Sequence, residues 1–149
     1  MNAGRHPVRI RSIGLYLPST RVSNYERAAK VGFERDFLEN KLGVVARSVM
    51  EPGETTSDLA VRAFNALAER IELLRDEIQL LVVVTQHPDF KVPHTAAIVH
   101  NRLELGKHCM TFDISQGCSG YTHAVTIVTG VMETANLNHA VLITSDPYS

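Results

Sequence analysis

The sequence holds only two cysteines, Cys109 and Cys118, and two cysteines make no disulfide framework. A reducing, cytoplasmic setting is the expectation. Net charge is scarce as well. Fifteen basic and 16 acidic residues leave −1 at neutral pH, which predicts no strong attraction to nucleic acid or to an anionic membrane surface. No apolar signal core follows Arg5, Arg9 and Arg11 in the opening MNAGRHPVRIRSIG. The longest stretch without Lys, Arg, Asp or Glu runs over 114–132. It contains three glycines, three threonines, two serines, Gln116 and His123, so it reads as buried in protein and not in lipid.

What is present suits a globular domain. The chain has 149 residues, 44% of them hydrophobic, enough for one domain over 1–149 with a real core. VRIRSIGLYLP alternates apolar and polar residues up to Pro18 and predicts a first strand. SNYERAAKVG and FERDFLENKLG predict two short helices, with Asn24 as an N-cap and Gly32 and Gly43 as closing residues. In PGETTSDLAVRAFNALAERI, Thr55, Thr56 and Ser57 offer caps and Asp58 suits the first turn. Ala60, Ala63, Phe64, Leu67 and Ile71 then form one apolar face. IQLLVVVT is a continuous β-branched and apolar run, the pattern of a strand buried on both faces. HTAAIVHNRLELG predicts a helix to Gly106, CMTFDIS a strand, 119–135 a helix and HAVLITSD a last strand. Alternating strands and helices at this spacing predict an α/β fold with right-handed crossovers. The sequence stops four residues after that last strand. Either those residues reach a sheet edge or the sequence is cut from a longer protein.

The segment DISQGCSGYTHAV carries the chemistry. Cys118 stands between Gly117 and Gly120, after an apolar strand and before an uncharged helix. Free cysteine is often a small buried hydrophobe. A cysteine at a helix N-terminus is also placed for nucleophilic work, because the free N–H groups and partial positive charge there favour a thiolate. The two glycines permit a tight turn and close approach by a substrate. The pattern alone leaves both readings open.

DISQGCSGYTHAV resembles the active-site segment of ketoacyl synthase III enzymes, the thiolase-fold condensing enzymes. IRSIGLYLPSTRVSN resembles that family's opening strand and turn, LGVVAR its Thr-Gly-Ile-x-x-Arg segment, and ETTSDLAVRAFNAL its first long helix. IQLLVVVTQHPDFKVPHTAAIVHNRLEL resembles its second strand, loop and next helix. The resemblance implies the N-terminal half of a thiolase-like fold: a mixed, mostly parallel sheet with helices on both faces. It implies that Cys118 takes an acyl group from a thioester, either acyl-coenzyme A or an acyl carrier protein thioester, with no tightly bound cofactor. It also implies an acyl carrier protein partner, a homodimer and a role in fatty acid or polyketide-like synthesis. The family's catalytic histidine and asparagine lie in a second half, and no residue here matches them.

Some positions depart from the family. Where its coenzyme A site often has a tryptophan and an arginine, this sequence has Phe37 and Lys41. These can still stack on an adenine and meet a phosphate, less specifically. A carrier-protein thioester is the alternative donor. Hydroxymethylglutaryl-CoA synthases, which share fold and cysteine, need a glutamate after the second strand, and here VVTQHPD has Gln86. Val92 stands where family members place a residue that crosses a dimer interface into the neighbour's acyl pocket; it is equally readable as a loop valine over apolar surface. His87, Asp89 and His94 share a loop but match no zinc spacing, and no metal is expected. His123 reads as packing, because five residues on a helix separate its face from that of Cys118. Cys109 reads as core. The mixed charges Glu69, Arg70, Glu72, Arg75, Asp76 and Glu77 read as a solvated helix end.

The expectation is therefore a condensing acyltransferase. Two alternatives compete with it: a non-catalytic half-module that needs a partner half or subunit, and a thiol redox sensor at Cys118, which lacks an evident resolving cysteine.

Overall fold

A computed structural model describes residues 7–147 of the protein. The elements in chain order are β1 (Arg21–Ser23), α1 (Asn24–Val31), a π-helical segment (Phe37–Leu42), β2 (Ala46–Ser48), α2 (Thr56–Ala68), β3 (Leu80–Val84), α3 (Thr95–Arg102), β4 (Met110–Ile114), α4 (Gly120–Ala135) and β5 (Ala140–Thr144). The chain divides into two compact units. Among the described residues, one holds 7–16 together with Thr55–Asp146, and the other Leu17–Glu54 with Pro147.

In the smaller unit β1 pairs antiparallel with β2. The cap of α1 is Ser23 and not Asn24. Ser23 is extended and its hydroxyl accepts from the Tyr25 N–H at 3.2 Å. The Asn24 amide is taken elsewhere: it donates to the Val44 carbonyl and accepts from Arg47, which ties α1 to β2. Gly32 and Gly43 close their helices with φ of 75° and 68°, a region that costs glycine nothing.

The larger unit is built on a parallel three-stranded sheet, order β4-β3-β5. All five residues of β3 are buried, because helices cover both of its faces. Leu81 and Val83, with Val141 and Ile143 of β5, pack with Ala60 and Phe64 of α2, Ala96 and Val99 of α3, and Leu103 just after it. Leu80 and Val82 face the other way, against Val128 and Met132 of α4. Side chains alternate along a strand, so a continuous apolar run is what two covered faces require. α2 begins with a capping box in which Thr55 and Asp58 each satisfy the other's backbone N–H. α3 stops at Arg102, short of the expected Gly106, and Glu104 turns the chain with φ 52°.

The expected first strand is not a strand: residues 8–18 join no ladder. Gly14 lies against α2 so closely that a Cβ there would fall 2.4 Å from the Leu67 nitrogen, and Arg62 donates to the Tyr16 hydroxyl. On the opposite side, Ile13 and Leu15 are exposed. A cavity of about 540 Å³ lies between this segment and β5, walled by Ala63 and Leu67 of α2 and by Val125 and Met132 of α4. The alternation is present, but among the described residues the segment pairs with no strand and faces β5 across this cavity.

Candidate functional site

The three parallel strands end along one edge. There the Thr85 N–H donates to the Ile114 carbonyl at 3.1 Å, and the Ser145 N–H to the Val84 carbonyl at 3.0 Å. In open parallel sheets this carboxyl edge is where ligands bind. β4 leaves it through a four-residue turn, 117–120, closed by the Gly120 N–H donating to the Gly117 carbonyl at 2.7 Å. Cys118 and Ser119 are the two corner residues. Ser119 (φ −94°, ψ 4°) has the third-residue conformation of a type I turn. α4 starts immediately afterwards.

Both glycines stand where a neighbouring side chain approaches closely. A Cβ on Gly120 would fall 2.6 Å from Val84 Cγ1, so its absence lets the first residue of α4 press onto β3. A Cβ on Gly117 would fall 2.6 Å from Gln86 Oε1. Gln116 reaches across the turn and donates to Ser119 Oγ at 3.2 Å. With the turn fixed from below by these contacts, the Cys118 thiol is left exposed at its corner. Among the described residues the Cys118 N–H has no hydrogen-bond acceptor. The first turn of the 16-residue α4 carries no acidic side chain. A helix N-terminus of that kind favours negative charge beside it, as on an oxygen next to Cys118.

Cys109 differs. It precedes β4, at the sheet's amino edge, half-buried against the core. Burial pushes its thiol pKa up, partly offset by a backbone hydrogen bond with Leu81. Five strand residues separate the two cysteines, a span of about 17 Å at strand rise. No disulfide bridges such a gap, and Cys109 is no resolving partner for Cys118.

His123 is exposed and does not pack as expected. The buried stripe of α4 is Gly120, Ala124 and Val128, set by the close approach of Gly120 to β3, and His123 falls beside that stripe. The loop residues His87, Asp89 and His94 are each engaged separately. Asp89 accepts from the Ser57 N–H at the start of α2 at 3.1 Å. His94 Nε2 pairs with Thr111 Oγ1 at 3.1 Å. His87 Nδ1 lies 3.5 Å from Asp146. Among the described residues no three metal-ligating side chains converge. Val92 stands 86% exposed on the same loop. In the smaller unit, Phe37 is half-buried and stacked on Phe33 with centroids 4.9 Å apart, so one face of its ring is already occupied. Lys41 is exposed, four residues further on.

Two aspartates of the site escaped sequence reasoning. Asp113 in β4 accepts from the N–H groups of Thr95 and Ala96, both at 2.7 Å, and so caps α3. Asp146 accepts from Thr85 Oγ1 at 3.0 Å and from the Gln86 N–H at 2.7 Å. Neither has a local sequence signal, since each partner is a strand or more away.

No family model matches the chain. Among curated proteins, a beta-ketoacyl-[acyl-carrier-protein] synthase III of Wolbachia pipientis wMel is 36% identical over 135 residues, which are 90% of this chain and 42% of that protein. The synthase of the same description from Neisseria meningitidis serogroup A is 32% identical over 141 residues, 95% of this chain and 44% of the relative. A solved 3-oxoacyl-(acyl-carrier-protein) synthase III superposes with a TM-score of 0.86 at 28% identity, covering 93% of this chain and 42% of that one. The corresponding protein of Xanthomonas oryzae pv. oryzae gives a TM-score of 0.76 at 23% identity, over 89% and 41%, which shows the fold alone. The fold is that of the N-terminal half of these thiolase-like proteins. The chain spans well under half the length of the curated relatives it matches.

Proposed function

We propose that the chain is the nucleophile-bearing half of a condensing acyltransferase of the ketoacyl synthase III type. Cys118 carries this reading: an exposed cysteine at the corner of a turn flanked by glycines, on the carboxyl edge of a parallel sheet and beside the start of a helix whose first turn carries no acidic side chain. The sulfur, as thiolate, attacks the carbonyl carbon of an acyl thioester. The carbonyl oxygen takes up the negative charge, and the Cys118 N–H is placed to donate to it. The intermediate collapses to acyl-Cys118 and expels the donor's thiolate. In the second stage a malonyl-type thioester loses carbon dioxide. Its carbanion attacks the acyl carbon and releases the Cys118 thiolate with the ketoacyl product.

The thioester is acyl-coenzyme A or an acyl carrier protein conjugate, and the chemistry needs no tightly bound cofactor. Phe37 and Lys41 are the candidates for contact with the donor's nucleotide or phosphate. The stack on Phe33 occupies one face of the Phe37 ring, and phenylalanine and lysine at these positions leave a carrier-protein donor as the alternative. Val92, almost fully exposed, is the candidate for contact with a partner subunit of a homodimer, in a cytoplasmic setting. The test is incubation with an acyl thioester followed by intact-protein mass spectrometry. An acyl adduct that maps to Cys118 and is lost in Cys118→Ala supports the reading. An adduct that persists in that variant overturns it.

A second reading, a half-module that works only with a partner half or subunit, has its own observation. Tyr121 and Ile127 on α4 are 48% and 42% exposed, and Ile13 and Leu15 are 66% and 69% exposed. A second half that covers these surfaces would complete the core. The two readings are compatible, because the condensation step asks for groups this chain does not match.

A further inference from the structure

We propose that Asp146, just after β5 on the same carboxyl edge, is a positioning residue for the Cys118 turn; the proposal rests on Cys118 being the nucleophile. The connection is physical at each step. Asp146 follows β5, and one of its oxygens, Oδ1, accepts from both Thr85 Oγ1 and the Gln86 N–H, at 3.0 and 2.7 Å. Thr85 Oγ1 in turn accepts from the His87 N–H at 3.0 Å. The chain leaving β3 is therefore pinned at three consecutive residues, 85–87, by one carboxylate and one hydroxyl. The anchor is itself held: the Ser145 N–H donates to the Val84 carbonyl, and Ser145 Oγ donates to the Thr56 carbonyl at 3.0 Å.

What the pinned backbone presents is the Gln86 side chain. Its amide forms the surface on which Gly117 rests, so close that a Cβ at Gly117 would lie 2.6 Å from Oε1, 3.0 Å from Cδ and 3.2 Å from Nε2. Gly117 supplies the carbonyl that closes the turn over Cys118. Asp146 thus reaches Cys118 through two contacts, Asp146 to Gln86 and Gln86 to Gly117. Loss of the first frees residues 85–87 to shift, and the support beneath the turn shifts with them. A displacement of about 1 Å at a reacting group costs up to a hundredfold in rate.

The experiment uses the full 149-residue chain and follows two reactions at Cys118: alkylation by iodoacetamide and acylation by an acyl thioester, both read by peptide mass spectrometry. Alkylation of Cys109 is the internal control. Asp146→Ala removes the acceptor and is expected to slow both reactions of Cys118 by about tenfold or more, with Cys109 unchanged. Asp146→Asn keeps an oxygen acceptor for Thr85 and Gln86 and is expected to restore both rates to within about threefold. Should Asp146→Ala fail to fold, Gln86→Ala, which removes the support directly, is expected to give the same loss. Wild-type rates in Asp146→Ala and Gln86→Ala overturn the proposal. So does a parallel change at Cys109, which would mean general loosening. If the wild-type chain takes no acyl group, the reading of Cys118 as nucleophile fails, and the alkylation series still decides whether Asp146 positions the turn.

Discussion

Gly117 and Gln86 interlock: the amide of Gln86 occupies the space that any side chain at position 117 would need. The two residues come from the ends of neighbouring parallel strands, β4 and β3. Gly117→Ala is expected to cost only about 0.5 kcal/mol, because the amide it displaces is the far end of an exposed, flexible side chain. In a Gln86→Ala background that cost is expected to vanish, a coupling of about 0.5 kcal/mol. Chemical denaturation of the four proteins measures it, and strictly additive costs would show that the two residues are not in contact.

The two cysteines differ in surroundings, so they should differ in rate. Burial raises the pKa of Cys109, and its side chain packs against the core. Cys118 is exposed at a turn. The thiolate is the species that reacts. Iodoacetamide at pH 7.5 should therefore modify Cys118 before Cys109 in the folded protein. Timed quenching and peptide mass spectrometry give both rates, and equal rates would contradict the structural difference.

Asp58 links α2 to acid stability. Partial burial pushes its carboxyl up, but hydrogen bonds from Arg102 and from the Thr55 N–H and hydroxyl outweigh burial and hold the pKa below the ordinary aspartate value. A folded-state pKa below the unfolded one contributes stability above the unfolded value, near 3.9. That contribution is lost as pH falls through the folded value. The melting temperature of the wild type should therefore drop more steeply below about pH 4 than that of Asp58→Asn. The two proteins should converge at the acid end. Parallel curves at all pH values would remove Asp58 from the acid response.

Much of this was legible in the sequence, for identifiable reasons. The run 78–85 announced a buried strand because both faces of β3 are covered. Thr55 and Asp58 announced the start of α2 because a capping box is local. The turn at Cys118 showed itself through its two glycines, where neighbouring side chains approach closely. What failed was non-local. Alternation over 8–18 told which side chains share a face, but not whether an edge lay alongside to pair with. The phase of α4 was misjudged at His123, since the contact of Gly120 with Val84 sets it. Asp113 and Asp146 serve backbone N–H groups 17 to 60 residues away, and no local pattern marks such a carboxylate.

The last prediction concerns what the chain alone can do. Acylation needs a thiolate and an oxyanion donor, and the turn offers an exposed thiol with an unengaged N–H beside it. Condensation needs more. Decarboxylation places negative charge on the malonyl-type thioester, and that charge must meet fixed donors as it forms. At the carboxyl edge the candidate side chains are already committed. His87 lies beside Asp146, His94 pairs with Thr111, and Gln86 supports Gly117. His123 is exposed on α4, beside the buried stripe. Loss of one such donor costs about a hundredfold or more in rate, so the 149-residue chain should take an acyl group slowly and extend it far more slowly still. Incubation with an acyl thioester and a malonyl thioester separates the steps: the protein mass reports acylation and the small-molecule fraction reports the ketoacyl product. Addition in trans of the C-terminal half of the Neisseria meningitidis relative should raise product formation if the missing donors are the limitation. Ketoacyl product from the chain alone, at the rate of a complete synthase, would mean that a full set of donors resides within these 149 residues and that the committed side chains above are free to act.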